Sequence, residues 1–278
     1  MTYVVLGATG GQGGAVVDEL LAAGLPVRAV IRDTSSARAR ALSDRGVELA
    51  VGDLVSGNGL TEAFTGSTGV FALTTPFETG PDAEITQGTA IVEAATSAGA
   101  GHLVFSSVAS ANLGTGVPHF ESKYRVEQFL TASGLDHTIV GPTYFYDNIL
   151  GASDALTAGV MLLAMPSDKP LQQLSRRDLG RFVVEVFDNP SDHLGRRIDL
   201  ASDDPTPAAM AATLSTVLGH EVRAESYDPE RISSPDMRAM FGFLSREGYS
   251  VDIAALHHDH PDIGWMSFTD WAAASLPR

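Results

Sequence analysis

The first stretch whose residue types suggest chemistry is a glycine-rich turn, Gly7-Ala8-Thr9-Gly10-Gly11-Gln12-Gly13-Gly14. Its glycines recur at every third position, which lets the backbone turn tightly and approach a pyrophosphate without a Cβ in the way. Apolar residues with helical spacing follow the turn, and the free N–H groups and dipole at a helix start favour an anion. The turn therefore predicts a dinucleotide-binding site.

A second candidate group is a histidine and a lysine four residues apart, His119 and Lys123. On a helix this spacing places both side chains on one face. Imidazole titrates near neutral pH, so His119 is a candidate proton donor. The alternative is that His119 is a surface residue at a helix start and that Lys123 is a solvated charge.

An alternation of apolar strands and amphipathic helices would position these groups. Strands are predicted at Tyr3–Leu6, Val27–Ile31, Val47–Val51, Gly69–Leu73, His102–Phe105 and Asp136–Val140. Helices are predicted at Ala15–Ala23, Arg38–Arg45, Asn58–Phe64, Asp82–Ser97 and His119–Leu130. The alternation predicts an α/β fold of the Rossmann type, with a doubly wound, right-handed parallel sheet and helices on both faces.

Ligands bind such sheets at the carboxyl ends of the strands, so residues just beyond the strands are candidate cofactor contacts. They are Asp53 and Leu54 after the third strand, Thr74, Thr75 and Pro76 after the fourth, Ser106 after the fifth, and Pro142, Tyr144 and Phe145 after the sixth. Asp53 has two interpretations, because it could accept a hydrogen bond from the adenine amino group or cap the next helix.

The residues that close the second strand bear on which cofactor is bound. An acid at this point accepts the 2′-hydroxyl of NAD, whereas an arginine accommodates the 2′-phosphate of NADP. Arg32 occupies the position, with Arg38 nearby on the next helix, so NADP(H) is predicted over NAD(H). Asp33 leaves NAD(H) as the alternative, because Asp33 would be the ribose acceptor if the second strand ended one residue later. Arg38 has the alternative of a solvated helix charge.

The chain beyond about residue 150 has a different pattern. Helices are predicted to start at a capping box, Ser175-Arg176-Arg177-Asp178, and at Thr206-Pro207, and to lie at 234–247 and 268–276, with short strands at 197–200 and 221–226. We expect residues 1–150 to form the NADP(H)-binding domain and 151–278 a smaller, mostly helical lobe that closes the cleft. The segment Met237–Phe243 is expected to pack in this lobe or to form a wall of the substrate cleft.

Composition excludes several classes of function. The 278 residues contain no cysteine, which excludes disulfides, thiol chemistry and thiolate metal sites and fits a reducing cytoplasm. The formal net charge of −16, with basic residues spread along the chain, argues against nucleic-acid binding. No apolar run approaches ~20 residues and no leader segment is evident, so we expect a cytoplasmic monomer or homodimer.

One further cluster, His257-His258-Asp259-His260, carries metal-ligand chemistry. Pro261 directly after it predicts a loop, and a loop tip rarely provides the supporting contacts that a metal site needs. No metal site is therefore expected from this run.

Taken together, the motifs resemble those of the NmrA-like family of atypical short-chain dehydrogenase/reductases. The resemblance is carried by Gly7/Gly10/Gly13, Arg32, Gly52-Asp53, Ser106-Ser107, His119-x-x-x-Lys123, Tyr144-Phe145-Tyr146 with Asn148, and Arg177-Asp178-Leu179-Gly180. In ordinary members of the superfamily a Tyr-x-x-x-Lys pair does the chemistry: the tyrosine donates a proton, and the lysine lowers its pKa and holds the nicotinamide ribose. Here His119 stands at the tyrosine position, and Tyr124 is poorly placed to replace it.

The resemblance implies two alternative functions. The first is an NADPH-dependent oxidoreductase acting on quinone-like or other small carbonyl or conjugated substrates, in which Lys123 holds the ribose, Ser106 or Ser107 hydrogen-bonds the substrate, and His119 is an auxiliary proton donor. The second is a non-catalytic NADPH/NADP redox sensor that acts through a regulatory protein partner. The missing tyrosine favours the sensor, and the acidic surface directs its output to protein and not to DNA.

Overall fold

The computed structural model describes residues 1–77 and 79–276 of the protein. Its strands are β1 (Tyr3–Leu6), β2 (Val27–Ile31), β3 (Glu48–Val51), β4 (Gly69–Leu73), β5 (His102–Ser106), β6 (His137–Pro142), β7 (Tyr144–Phe145), β8 (Val160–Leu163), β9 (Gln173–Leu174), β10 (Arg197–Leu200) and β11 (Arg223–Ser226). Seven of them form one sheet in the order β10-β6-β5-β4-β1-β2-β3, and every neighbouring pair is parallel. The predicted doubly wound parallel sheet is confirmed.

The α-helices of the described residues are α1 (Gly11–Ala22), α2 (Ala37–Asp44), α3 (Leu60–Phe64), α4 (Pro81–Ala98), α5 (Pro118–Ala132), α6 (Ser153–Thr157), α7 (Arg176–Asp188), α8 (Pro190–His193), α9 (Pro207–Leu218), α10 (Pro235–Arg246), α11 (Ile253–Asp259) and α12 (Phe268–Ser275). Short 3-10 turns lie at Ala111–Leu113, Tyr146–Ala152, Pro229–Arg231 and Pro261–Ile263. Nowhere in the described ranges does a helix combine the length and apolar character needed to cross a membrane.

Two apolar layers cover the faces of the central sheet. One layer joins α1 and α7 to the sheet through residues such as Val16, Leu20 and Phe182. The other joins α3, α4 and α5 through residues such as Phe64 and Ile91. Because both faces of the sheet are covered, β1 is buried along its whole length. This burial explains why the sequence of β1 is a continuous apolar run. β1 lies between β2 and β4, so the winding reverses there and opens a crevice at the carboxyl end of the sheet.

The second half of the chain contributes to these layers, as the predicted division at residue 150 allows if the two parts of the chain interleave. Arg197–Leu200, which we predicted within the smaller lobe, pairs with β6 as an edge strand of the central sheet. α7 packs closely on α1, since a Cβ on Gly180 would lie 2.6 Å from the carbonyl oxygen of Ala15. Local patterns do not reveal such pairings, because β10 is short and only partly buried.

Most of the remaining elements build a third apolar core. It contains Met210, Leu214, Phe241, Phe243 and Trp271, which come from α9, α10 and α12. β8 and β11 form a parallel ribbon beside these helices. This core is mostly helical, as the sequence indicates for this region.

One predicted helix start and one predicted helix cap need correction. α1 begins at Gly11 and not at Ala15, so the last glycines of the turn belong to the helix. α7 does begin after Ser175, but the Ser175 side chain makes no cap hydrogen bond. Asp178, the acid of the supposed capping box, is fully buried and accepts from Ser202 Oγ and Met266 N at 2.7 Å each. The capping-box interpretation is wrong because tertiary donors occupy the carboxylate.

The glycine turn yields a stability prediction at Gly13. A Cβ there would overlap the Gly7 carbonyl and lie 2.6 Å from the Leu6 carbonyl oxygen, so we expect Gly13→Ala to lower the free energy of unfolding by about 1–3 kcal/mol. Gly14→Ala is the matched control, since its Cβ would meet only the Ala8 carbonyl oxygen at 3.5 Å. A helical Gly→Ala change without a clash adds up to about 1 kcal/mol. Urea unfolding of both variants measures the difference, and a Gly13→Ala protein as stable as the wild type would contradict it.

Candidate functional site

The glycine turn lies in the crevice where the sheet winding reverses. Gly7 adopts a φ of +66°, a left-handed conformation that favours glycine, and its carbonyl accepts from Gly10 N at 2.8 Å. Gly10 is the N-cap of α1 and supplies no side-chain cap. The first N–H groups of α1 therefore remain to bind an anion in the crevice.

A cavity of about 360 Å³ lies on the β2–β3 side of the turn. Among its lining residues are six that the sequence predicts or weighs as cofactor contacts: Gly7, Thr9, Arg32, Asp53, Leu54 and Thr75, with Asp33 beside Arg32. Gln87 also lines it and holds the Thr75 backbone, accepting from Thr75 N at 3.1 Å and donating to Thr75 O at 3.3 Å. The size and position of this cavity suit an adenosine.

Asp33 and Asp53 both hold their own loops in shape. Asp33 Oδ1 accepts from Ser35 Oγ at 2.6 Å and from Ser35 N at 2.8 Å, and these bonds lower the pKa of Asp33. Asp53 Oδ1 accepts from Ser56 N at 2.7 Å, Ser56 Oγ at 2.9 Å and Val55 N at 3.0 Å, which lowers the pKa of Asp53. Asp53 thus caps its own turn and not α3, whose N-cap is Gly59.

A larger cleft of about 920 Å³ adjoins the first cavity and shares Gly7, Thr9, Leu73 and Thr75 with it. It brings together most of the other predicted residues: Gly10, Gln12, Thr74, His119, Lys123, Pro142, Tyr144 and Phe145. Its far wall is apolar and aromatic and includes Phe77, Met237, Met240 and Tyr249. The site therefore runs from the glycine turn to a wall that α10 and the segment after it help to form.

Lys123 is buried at the edge of this cleft and is paired with an acid. Its Nζ lies 2.8 Å from Glu84 Oε1 and donates to Thr74 O at 3.1 Å. Glu84 is fully buried and also accepts from Thr74 Oγ1 at 2.9 Å and from Ser122 Oγ at 2.5 Å. The alternative of a solvated lysine is wrong, because Lys123 is only 8% exposed and lies within this network.

His119 is also buried and is held by an acid from α10. Its Nδ1 lies 2.8 Å from Asp236 Oδ2, and its backbone N donates to Asp236 Oδ1 at 2.9 Å. Burial alone would raise the pKa of Asp236, but the hydrogen bonds and charge of His119 outweigh it and lower that pKa. The surface alternative for His119 is wrong, and the histidine faces the cleft with one ring nitrogen anchored.

The remaining predicted residues lie around this site. Ser106 is buried, and its hydroxyl donates to Gln12 Oε1 at 2.7 Å, so it acts on the turn through Gln12. Ser107 lines the cleft while its hydroxyl donates to Glu127. Pro76 is buried in the loop after β4, where its carbonyl accepts from Gly80 N at 2.7 Å. Arg38 is exposed on α2.

The sequence analysis misses several residues of the site, of which Glu84, Asp236 and Arg176 bear most on its chemistry. Arg176 begins α7 and extends over the glycine turn, where a Cβ on Gly11 would lie 2.5 Å from its Cζ. Its NH1 lies 3.3 Å from Asp147 Oδ1, and its buried Nε has no hydrogen-bond partner among the described residues. The only signal in the sequence is an arginine next to the family motif, and that signal does not show which way the side chain points.

Two phenols of the cleft remain protonated around neutral pH. Burial raises the pKa of Tyr144 to about 12, and the nearby Tyr227 raises it further than Asn148 lowers it. Burial also raises the pKa of Tyr249. Both groups can therefore donate hydrogen bonds to a ligand. Tyr124, in contrast, packs against the third apolar core.

The histidine run near the end of the chain is helical over most of its length. His257, His258 and Asp259 belong to α11, and His260 is its C-cap, so the predicted loop is wrong. The run does not converge on one point. His257 stacks on Trp265 with ring centroids 4.7 Å apart, whereas His260 Nδ1 lies 2.5 Å from Glu185 Oε1.

The residues of the two cavities fit a dinucleotide. The backbone at Gly13 leaves no space for a Cβ, as expected where the helix packs closely against the strand before the turn. The buried Arg176 Nε above the α1 N-terminus is an unsatisfied donor of the kind that a phosphate oxygen accepts. The profile of the NmrA-like family matches residues 1–250.

The chain belongs to the NmrA-like family. This NmrA-like protein is 30% identical to an NmrA-like family domain-containing oxidoreductase of Aspergillus flavus, lnaB, over 281 residues, covering 88% of this chain and 83% of the relative. It is also 30% identical to an NAD(P)H azoreductase of Xenophilus azovorans over 221 residues, covering 79% of this chain and 75% of the relative. The resemblance inferred from the motifs is confirmed.

Solved structures share the fold of this NmrA-like protein. The triphenylmethane reductase of Citrobacter sp. complexed with NADP(H) matches with a TM-score of 0.84 at 22% identity, covering 99% of this chain and 100% of that chain. Nmra, a negative transcriptional regulator solved in complex with NAD, matches with a TM-score of 0.85 at 22% identity, covering 99% and 95%. At these identities the likeness shows the fold alone, and the fold accommodates both a reductase and a regulator.

The Asp236–His119 contact yields a pH-dependent prediction. Because the folded-state pKa of Asp236 lies below its ordinary value of 3.8, the contact stabilises the fold above about pH 4, and this stability is lost as the pH falls through the folded pKa. We expect Asp236→Asn to lower the free energy of unfolding by about 1–3 kcal/mol at pH 7, with the difference shrinking below pH ~4. Urea unfolding at pH 7, 5 and 3.5 measures it.

The exposed Asp44 provides the control for this series, and Asp44→Asn should change stability by less than about 0.5 kcal/mol at each pH. A loss for Asp236→Asn that is equally large at pH 7 and pH 3.5 would show that the carboxylate charge is not what stabilises the contact.

Proposed function

We propose that the protein is an NADPH-dependent oxidoreductase that reduces quinone-like or other small conjugated acceptors. The observation that carries the proposal is the cleft, which runs from the dinucleotide turn to an aromatic and methionine-lined wall with His119 beside it. The curated relatives named as an oxidoreductase and an azoreductase support the same class of reaction.

Arg32 supports NADPH over NADH. It lines the adenosine cavity at the end of β2, the position where an arginine accommodates a 2′-phosphate. The competing acid, Asp33, uses Oδ1 to hold Ser35 in its turn. This engagement favours Arg32 as the residue that recognises the adenosine ribose.

When bound, NADPH supplies a hydride at its nicotinamide ring. Lys123 contacts Glu84 Oε1, Thr74 O and Thr74 Oγ1 at the edge of the cleft, and its ammonium would also donate to a ribose hydroxyl of the cofactor. Arg176 would bind phosphate oxygens above the α1 N-terminus. These contacts orient the ring toward the apolar wall of the cleft.

His119 would supply the proton that follows the hydride. Two-electron reduction of a quinone by hydride would leave a hydroquinone monoanion, and a protonated His119 imidazole would transfer its Nε2 proton to the anionic oxygen. Asp236 keeps the Nδ1–H in place and stabilises the imidazolium before transfer, as a carboxylate does beside a catalytic histidine. Solvent then reprotonates the ring, and the products are a hydroquinone and NADP⁺.

The cleft wall fits a flat, apolar acceptor. Met237, Met240 and Tyr249 offer an adaptable apolar surface, because methionine side chains adjust to ligands of different shape. The neutral phenols of Tyr144 and Tyr249 would hydrogen-bond ring oxygens. This combination suits quinones and related conjugated rings better than charged substrates.

A redox sensor is the alternative function, because the regulator Nmra has the same fold. A sensor must bind NADPH and NADP with different affinity, because a ligand shifts an equilibrium only by its differential affinity. NADPH binding without consumption in the presence of any acceptor, combined with such a difference, would replace our proposal with this one.

The cofactor preference is tested by Arg32→Ala. We expect the affinity for NADPH to fall about 10- to 100-fold, since charge-assisted hydrogen bonds contribute about 1.5–3 kcal/mol, while the affinity for NADH stays within about threefold. Titration of all four nicotinamide dinucleotides measures this, and the control is Arg125→Ala, an exposed arginine of α5 that lines neither cavity. Equal losses for NADPH and NADH in Arg32→Ala would contradict a contact with the 2′-phosphate.

The reaction is tested by NADPH consumption with a panel of quinones, azo dyes and aldehydes. We expect turnover of quinones, and His119→Gln should lower kcat about 10- to 100-fold and remove the pH dependence that an imidazolium acid causes. Asp236→Asn should lower kcat less and alter the same pH profile, as a positioning residue would. Consumption at background for every acceptor would overturn the proposed activity.

A further inference from the structure

A second polar site lies at the opposite end of α1 from the glycine turn. Glu185 on α7, His193 at the end of α8 and His260 at the end of α11 bring one carboxylate and two imidazoles together. One ligand atom from each lies within 4.8 Å of the other two. The cavity beside them includes Ala22 and Ala23 of the α1 C-terminus, about 18 Å along the helix from the cofactor turn.

We propose that Glu185, His193 and His260 bind a divalent zinc ion. Two imidazole nitrogens and one carboxylate oxygen are a ligand set that zinc prefers, with water at the fourth position. This site is independent of the oxidoreductase proposal, since it shares no residue with the two cofactor cavities.

The three groups are close to the spacing of zinc ligands, with one pair hydrogen-bonded and one pair farther apart. His193 Nε2 lies 3.6 Å from Glu185 Oε1, which is longer than a hydrogen bond. Two ligands of one tetrahedral zinc lie about 3.3 Å apart when each bond is about 2.0–2.1 Å long. His260 Nδ1 lies 2.5 Å from the same oxygen, so a shift of less than about 1 Å would admit an ion between them.

His193 is the most buried of the three proposed ligands, at only 3% exposed. Its Nε2 is the ring nitrogen that faces Glu185 Oε1 and would bind the ion. A buried, fixed imidazole loses little freedom on binding a metal, so the ring is already placed for this role.

The surroundings orient the two rings and admit a cation. Phe182 packs against both imidazoles, with ring centroids 5.7 Å from His193 and 4.9 Å from His260, and Trp265 Nε1 donates to the His260 carbonyl at 3.0 Å. The adjoining cavity of about 870 Å³ is lined by six carboxylates and only two arginines, which attracts a positive ion. Supporting contacts of this kind are what a metal site needs to hold its ligands.

The test is direct titration of the untagged full chain with zinc after treatment with EDTA. We expect one zinc per chain, a higher thermal unfolding temperature with zinc than with EDTA, and, with cobalt substituted for zinc, visible absorption bands of a four-coordinate site. Glu185→Gln keeps the shape of the side chain but removes the anionic ligand, and His193→Gln removes an imidazole. Each should weaken zinc binding by at least about 100-fold, more than the effect of losing a residue that only orients a ligand.

His258→Gln is the matched control, because this exposed histidine lies two residues from His260 on the same segment and outside the cluster. It should bind zinc as the wild type does. Circular dichroism confirms that each variant is folded, and two ligand variants keep the test decisive if one of them unfolds. The proposal is overturned if the wild type does not bind one zinc saturably, or if Glu185→Gln and His193→Gln bind it as tightly as the wild type.

Discussion

The buried ion pair between Glu84 and Lys123 is the interaction on which the geometry of the cofactor site depends. Glu84 is fully buried, and a carboxylate in that position is tolerated only if its oxygens are satisfied, because an unpaired buried charge costs several kcal/mol. Thr74, Ser122 and Lys123 satisfy it from the end of β4 and from α5. These bonds fix the position and rotation of α5 against the sheet, and His119, one turn earlier on α5, is thereby directed into the cleft.

What the sequence can predict here is what local patterns specify. β1, β2 and β4 have the predicted bounds, and for β1 and β2 the reason is that apolar runs rich in β-branched residues end at glycine, proline or charged residues. The glycine turn and the residues after the strands were found in the same way. Glu84 was not, since a glutamate in the first turn of a helix ordinarily lies at the surface near the positive end of the dipole. Its burial follows from tertiary packing that no local pattern reveals.

The same limit applies to the second half of the chain, where long-range contacts decide the structure. The sequence predicts that Asp178 caps α7, but its carboxylate accepts hydrogen bonds from Ser202 and Met266. Gly180 allows α7 to pack in close contact with α1. Asp236 comes from α10 and completes the environment of a histidine 117 residues earlier in the chain. The cleft is therefore built from both halves of the chain, and its far wall and the contact between Asp236 and His119 could only be recognised in three dimensions.

The histidine at position 119 and the ion pair between Lys123 and Glu84 are physically connected. A lysine lowers the pKa of a neighbouring phenol by its positive charge, but the charge of Lys123 is compensated by Glu84 at 2.8 Å, so it would stabilise a phenolate only weakly. A tyrosine at position 119 would therefore be a poor acid in this site. His119 does not depend on that lysine, because its own partner is Asp236, whose Oδ2 lies 2.8 Å from the Nδ1 of His119. A conjugated acceptor spreads the negative charge that a hydride delivers, so its reduction would not require a strong acid. The apolar, aromatic wall opposite the glycine turn would suit such an acceptor.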